Sequence, residues 1–310
     1  MSVIWVTGAK GFIGKYLCSY LSQQGHQVLG LGHGVWPLEI AIKSGLSYWV
    51  NGEIEESNLW QLMEHSGVPD TIYHLAGGSS VGLSLQYPTE DFRRTVISTA
   101  TLLEWIRLHI PKTKLVVSSS AAVYGDNPIS PLSEQGNYTP YSPYGFNKHA
   151  SETLCQSYAH NFGVNIAIVR LFSVYGIGLR KQLLWDLCSR LAIRPLVLSL
   201  QGTGNEIRDW FYIGDVVRLL ACVADYASPV PFIINGGTGI GTCVRDITNI
   251  VCQAWELSIA IEFTGQTRKG DPISLISDLQ KLKSINFYSQ ADLVSELNHY
   301  VQWFRQHKDQ

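Results

Sequence analysis

Tyr144 and Lys148 stand four residues apart, about twenty residues after the serine run Ser118-Ser119-Ser120. On a helix, such positions share a face, so the Lys148 ammonium can lower the pKa of the Tyr144 phenol and also reach a cofactor ribose. A phenol tuned in this way can act as an acid or a base. Ser120, at a strand end, can hydrogen-bond the same substrate oxygen and orient it. Met alone, a Y-x-x-x-K pair reads as an ordinary helix-surface pair. The chemical reading gains weight from a second motif, Gly8-Ala9-Lys10-Gly11-Phe12-Ile13-Gly14, which follows an apolar strand and opens a helix. Glycines there let the backbone approach a pyrophosphate, which the helix N-terminus then holds. The spacing is G-x-x-G-x-x-G rather than G-x-G-x-x-G, and its order of strand, loop and helix separates it from glycines used only for tight packing.

The elements that must position these groups follow a regular alternation. Short apolar runs over 3–6, 27–31, 71–75, 114–118 and 165–170 are separated by helical patterns, the clearest over 12–24, 89–109 and 144–161. Strands apolar on both faces predict a parallel sheet covered by helices, a doubly wound α/β architecture of the Rossmann type. Gly25 and Gly163 follow two of the helices as stop signals. A later run over 231–235 can return to the sheet. Residues 1–171 with about 208–240 are thus expected to form the dinucleotide-binding domain, and about 172–207 with 241–310 a smaller substrate-binding lobe.

The 310 residues are enough for such a core. With 23 Lys+Arg against 25 Asp+Glu, the formal charge of -2 gives no reason to expect nucleic acid or an anionic membrane as partner. Six scattered cysteines without C-x-x-C or His clusters suggest neither a disulfide framework nor a metal site. The expected setting is the reducing cytoplasm, with no leader peptide and no membrane span.

The cofactor preference turns on the end of the second strand, where an acidic residue usually holds the adenosine ribose. Leu29-Gly30-Leu31-Gly32-His33-Gly34 contains no carboxylate, while His33 and Lys10 could sit near a 2′-phosphate. This favours NADP(H) over NAD. The other reading leaves Lys10 solvated and His33 capping a turn.

Taken together, these segments resemble the extended short-chain dehydrogenase/reductase family, within it the nucleotide-sugar epimerases, dehydratases and reductases. The likeness also runs through His74-Leu75-Ala76-Gly77-Gly78-Ser79-Ser80-Val81, Arg170-Leu171-Phe172-Ser173-Val174-Tyr175-Gly176, Arg208-Asp209-Trp210-Phe211-Tyr212 and Arg268-Lys269-Gly270-Asp271-Pro272. The resemblance implies a catalytic triad of Ser120, Tyr144 and Lys148. It lays Leu75, Ala76 and Gly77 along the cofactor and puts Glu53 where relatives place an Asp near adenine. It implies sugar contacts from Ser80 and Val81 and diphosphate contacts from Arg208 and Arg268, each of which could instead form a surface ion pair. Ser173 replaces the family's frequent Asn, and Asn147 replaces the Ser of Y-x-x-S-K. Ala121-Ala122 stands where dehydratases carry an Asp-Glu pair, so dehydration is disfavoured.

Three functions remain open: a reductase of a nucleotide-activated 4-keto-6-deoxyhexose, a 4-epimerase of the UDP-glucose/UDP-galactose type with retained NAD, and a non-catalytic nucleotide-binding protein. The missing carboxylate favours the reductase, because a retained cofactor benefits from every ribose contact. The resemblance also implies a homodimer paired through helices 89–109 and 144–161, with Trp105 and Leu108 either contacts or core.

Overall fold

The computed structural model describes residues 1–127, 130–266 and 272–308. Seven parallel strands lie side by side in the order Phe232–Gly236, Asn165–Leu171, Lys114–Ser120, Thr71–His74, Val3–Thr7, Gln27–Gly32 and Tyr48–Asn51. The direction of winding reverses at Val3–Thr7. From there the chain steps outward through Gln27–Gly32 and Tyr48–Asn51, then returns to Thr71–His74 on the other side. The crevice above the carboxyl ends at such a switch point is where open α/β sheets bind ligands.

Alternate strand residues face opposite layers. Ile4, Val6, Val116 and Val169 pack with Leu17, Leu21, Val216 and Leu220 on one face. Trp5, Leu115, Val117 and Ile168 pack with Leu102, Leu103, Cys155 and Ala159 on the other. The six expected strands form within two residues of their expected ends. Tyr48–Asn51 is not among the expected strands: it is a four-residue edge strand with half-buried aromatics, and its apolar run, Tyr48-Trp49-Val50, is short. Helices Phe12–Gln23 and Pro143–Phe162 match expectation, and Gly163 ends the second with φ 71°.

The helix expected over 89–109 starts at Pro88 and is interrupted by a π turn at Arg93–Ile97 before continuing as Ser98–His109. The hydroxyls of Thr99 and Ser151 both donate to the Thr95 carbonyl, at 2.6 and 3.2 Å, competing with the regular backbone ladder. The wider turn directs Thr95 Oγ1 towards the Gly78 amide, which donates to it at 2.8 Å.

Beyond Leu171 the chain forms a small sheet of Ser173–Tyr175, Ile207–Tyr212, Gly241–Cys243 and Ser274–Leu275, and a strand pair of Val197–Leu200 with Ala260–Phe263. A third core of Leu184, Leu187, Val251, Tyr300 and Phe304 lies beneath them. Two segments straddle the expected division. Ile207–Tyr212 is hydrogen-bonded into the small sheet while Phe211 packs into the main core. Leu282, Ile285 and Phe287 also pack there, and Lys281 Nζ donates to the Ile233 carbonyl at 2.6 Å.

Candidate active site

Ser142 and Pro143 begin the helix that carries Tyr144 and Lys148. The Ser142 hydroxyl accepts from the Gly145 amide at 3.2 Å, and Pro143 occupies the first turn, where no amide partner is needed. Ser84, fully buried, accepts from the Tyr144 amide at 3.1 Å and pins the helix start to the short helix Val81–Gln86. Ser120 ends the Lys114–Ser120 strand, hydrogen-bonds the Tyr144 phenol, and accepts from the Ala122 amide at 3.2 Å. Lys148 Nζ donates to the Ser118 carbonyl at 3.0 Å and lies 5.9 Å from the Tyr144 ring centroid. The fold therefore brings Ser120, Tyr144 and Lys148 together.

Burial raises the Tyr144 phenol above its ordinary range, the Ser120 hydrogen bond opposes the rise, and Asp91 adds to it. Lys148 is itself lowered to about 8 by burial, against the opposing pull of Asp91 and Glu152.

The glycine loop lies at the switch point. Gly8 has φ +70°, and a Cβ there would stand 2.8 Å from the Ala76 amide nitrogen; one at Gly14 would stand 2.3 Å from the Gly8 carbonyl oxygen. The loop is pressed against Leu75 and Ala76 as a cradle that side chains would fill. No side chain caps the N-terminus of Phe12–Gln23, and its first turn has no carboxylate. These residues fit a dinucleotide pyrophosphate at Gly11, Phe12 and Ile13. Gly77 faces Lys148, since a Cβ there would stand 3.4 Å from Lys148 Nζ.

One reading of the adenosine end needs correction. Lys10 Nζ donates to the Val35 carbonyl at 2.8 Å, which seats it beside Gly34 in the segment after the second strand. The stretch after the second strand is not free of carboxylate in space. Gly32 pairs with Asn51, which carries Glu53 to His33, with Oε2 3.2 Å from Nε2. Arg93 bridges Glu53 at 2.9 Å and Glu90 at 3.0 Å. A carboxylate thus stands at the adenosine end, where the resemblance puts Glu53, so the stretch 29–34 alone gives no preference for NADP(H).

On the substrate side, the Ser80 hydroxyl caps helix Val81–Gln86, accepting from the Leu83 amide at 3.4 Å, and Val81 is exposed. Ser173 is half-buried on its strand beside Trp210. Arg208 Nη1 donates to the Ile207 carbonyl at 2.8 Å. Arg268 lies outside the described residues. Sequence reasoning missed Ser84, Asp91 and Lys181. Lys181 donates to Ser79 Oγ at 2.8 Å, across 102 residues of chain.

His74, beneath the triad, is buried between Thr7 Oγ1 at 2.8 Å and Thr99 Oγ1 at 3.0 Å. Burial, reinforced by the Lys148 charge, lowers its pKa to about 3. The unfolded chain thus binds a proton below about 6.5 that the native state refuses, and stability falls with acidification. The slope attributable to His74 approaches about 1.4 kcal/mol per pH unit between roughly pH 6 and 3. Urea denaturation across that window should show this slope in the native sequence and a shallower one in His74→Asn.

The comparisons agree with this geometry. Residues 4–237 match the model of the NAD dependent epimerase/dehydratase family. A UDP-glucose 4-epimerase of Halalkalibacterium halodurans is 28% identical over 326 residues, covering 98% of this chain and 96% of that protein. MoeE5 in complex with UDP-glucuronic acid and NAD superposes with a TM-score of 0.86 at 28% identity, over 98% of this chain and 99% of MoeE5. The UDP-glucuronic acid 4-epimerase of Bacillus cereus, in complex with UDP-glucuronic acid and NAD, does so with a TM-score of 0.86 at 26% identity, over 98% and 99%. With its triad assembled over a Rossmann-type sheet and its glycine loop at the switch point, the chain belongs to the NAD dependent epimerase/dehydratase family.

Proposed function

We propose that the protein is a 4-epimerase of a UDP-activated sugar with retained NAD. The observation that carries this reading is the joining of the Ser120–Tyr144–Lys148 constellation to a dinucleotide cradle whose adenosine end holds Glu53. The names of the relatives support it. The reductase preferred from sequence is set aside, because it rested on a missing carboxylate that Glu53 supplies.

In this reading Gly8, Gly11, Phe12, Ile13, Gly14, Leu75, Ala76 and Gly77 line the cofactor, with Glu53 and His33 at the adenosine end. NAD, when bound, supplies a hydride acceptor. Tyr144 Oη removes the proton of the sugar 4-hydroxyl and returns one to the product, so no proton is consumed. Ser120 orients that oxygen and stabilises the phenolate that takes the proton first and is restored when the proton is returned. Residues 1–171 and about 208–240 hold the dinucleotide. The rest take the nucleotide sugar, with Arg208 and Arg268 as diphosphate ligands and Ser80, Val81 and Ser173 beside the sugar. Two copies pair through the exposed apolar side chains Phe92, Ile97, Leu108 and Phe146.

Incubation of the purified protein with UDP-glucose or UDP-glucuronate, followed by proton NMR, should show the 4-epimer accumulating to equilibrium without added cofactor and without net absorbance change at 340 nm. Consumption of NAD(P)H with a 4-keto sugar, and no epimer, would return the assignment to the reductase.

Lys181 favours the uronate within this class. It meets Ser79, two residues from the glycine that faces Lys148, and among the described residues it forms no ion pair. Although its side chain is exposed, surrounding protein lowers its pKa, as for a cation in a cleft. A charge-assisted hydrogen bond is worth about 1.5–3 kcal/mol. Lys181→Ala should therefore lower kcat/KM for UDP-glucuronate roughly 10- to 100-fold while UDP-glucose changes little. Equal losses on both substrates would assign Lys181 to the diphosphate instead.

A further inference from the structure

We propose that Asp91 is a positioning residue of this site: its buried carboxylate, held by Asn147 and seated against Gly78, is the standing negative charge that keeps Lys148 an ammonium. The proposal rests on reading Tyr144 and Lys148 as the acid–base pair.

Asp91 lies in helix Pro88–Phe92 and is 7% exposed. Its Oδ2 accepts from Asn147 Nδ2 at 2.7 Å, an interaction buried on both sides. Its Oδ1 lies so close to Gly78 that a Cβ there would come within 1.9 Å of it, so the carboxylate occupies the space a side chain would take. The carboxylate thus joins the loop that faces Lys148 to the residue immediately before Lys148.

The groups around Lys148 leave Asp91 as the uncompensated charge. On its own helix are Tyr144, a neutral phenol, and Glu152. From the sheet come the Ser118 carbonyl and His74, which is kept neutral. Glu152 is balanced by Arg170, whose guanidinium gives it hydrogen bonds at 2.7, 3.0 and 3.3 Å. Among the described residues, Asp91 has a neutral amide as its polar side-chain partner. It is not in ion-pair contact with Lys148, so it acts through space in a poorly screened interior. Asn147, which departs from the Ser of the family motif, supplies the donor that fixes this carboxylate.

The test uses the full-length, NAD-loaded protein and the variants Asp91→Asn and Asn147→Ser. Lys148 has a lowered native pKa, so the native sequence gains stability as pH rises from about 8 towards the unfolded value. Urea denaturation from pH 6.5 to 10.5, with Lys148→Met as reference, reads that window without any assay of turnover. Asp91→Asn should move the lower edge of the window down by about one pH unit. Asn147→Ser, which keeps the charge but releases it, should move it by a smaller amount in the same direction, and it carries the test if Asp91→Asn does not fold. In epimerisation, the alkaline limb of the Asp91→Asn kcat profile should shift down in parallel, with kcat at pH 8 about fivefold lower. The same substitution in a Lys148→Met background should cost little more. A stability window and an alkaline limb that stay in place, with equal losses in both backgrounds, would overturn the proposal and leave Asp91 a packing residue. Absence of epimerisation by the native sequence would sink the functional reading instead, while the stability window would still decide the role of Asp91.

Discussion

Tyr144→Phe is expected to lower kcat for epimerisation by about a thousandfold, within the range of about 10²–10⁴ typical of a positioned acid–base group, while NAD content and urea stability stay near those of the native sequence. The substitution removes one oxygen and keeps the ring. Its direct polar loss is the hydrogen bond with Ser120, whose hydroxyl still accepts from the Ala122 amide. The helix start is unaffected, because Ser84 and Ser142 bind backbone amides there. A loss in turnover without a loss in binding would identify a proton-transfer role, whereas a nucleotide-sensing protein would retain its function. Retention of near-normal turnover, measured by NMR under saturating UDP-sugar, would falsify the role of Tyr144.

The parts of this site that could be read in the sequence are those encoded within one turn or one loop. The glycine motif and the Tyr144–Lys148 spacing fall in this class, because a helix repeat or a tight turn converts their spacing directly into geometry. The hidden parts depend on pairings distant in sequence. Glu53 reaches His33 because the Tyr48–Asn51 strand docks in register beside Gln27–Gly32, and that strand's apolar run, Tyr48-Trp49-Val50, is too short to mark it in the sequence. Asp91 meets Asn147 across 56 residues of chain, a pairing that no local spacing encodes. Trp105 could be read as either a core or an interface residue. It is 4% exposed, with its ring 5.6 Å from that of Trp5, and belongs to the core, while Leu108 is 55% exposed and points outward. Local pattern gives a helix but cannot say which of its apolar residues meets solvent when both faces carry some.

Arg170→Met is expected to cost about 3–5 kcal/mol of stability, the usual consequence of removing one partner from a buried ion pair. Arg170 and Glu152 have side chains 0% and 1% exposed. The guanidinium also donates to Tyr124 Oη at 3.0 Å and to the Glu134 carbonyl at 3.2 Å, and its carbon lies 4.5 Å from the Tyr138 ring centroid. Methionine fills much of the volume but leaves Glu152 as an unpaired carboxylate in the core, and the desolvation cost of that charge is the larger part of the loss. Replacing both residues, as Arg170→Met with Glu152→Leu, should recover most of it, since the net worth of a buried pair against apolar side chains is small. Arg170→Lys should remain destabilising, because an ammonium cannot reproduce the planar fork that serves Glu152, Tyr124 and Glu134 together. Urea denaturation of the four proteins distinguishes the cases: if the double variant is no more stable than Arg170→Met, the guanidinium acts through packing and its other hydrogen bonds rather than through charge. The outcome bears on the site as well, since Glu152 lies one helical turn beyond Lys148 and an unpaired carboxylate there would add a second negative charge beside Asp91. A stable double variant should therefore keep Lys148 governed by Asp91, whereas Arg170→Met alone should raise the pKa of that lysine and move the alkaline limb of turnover upward.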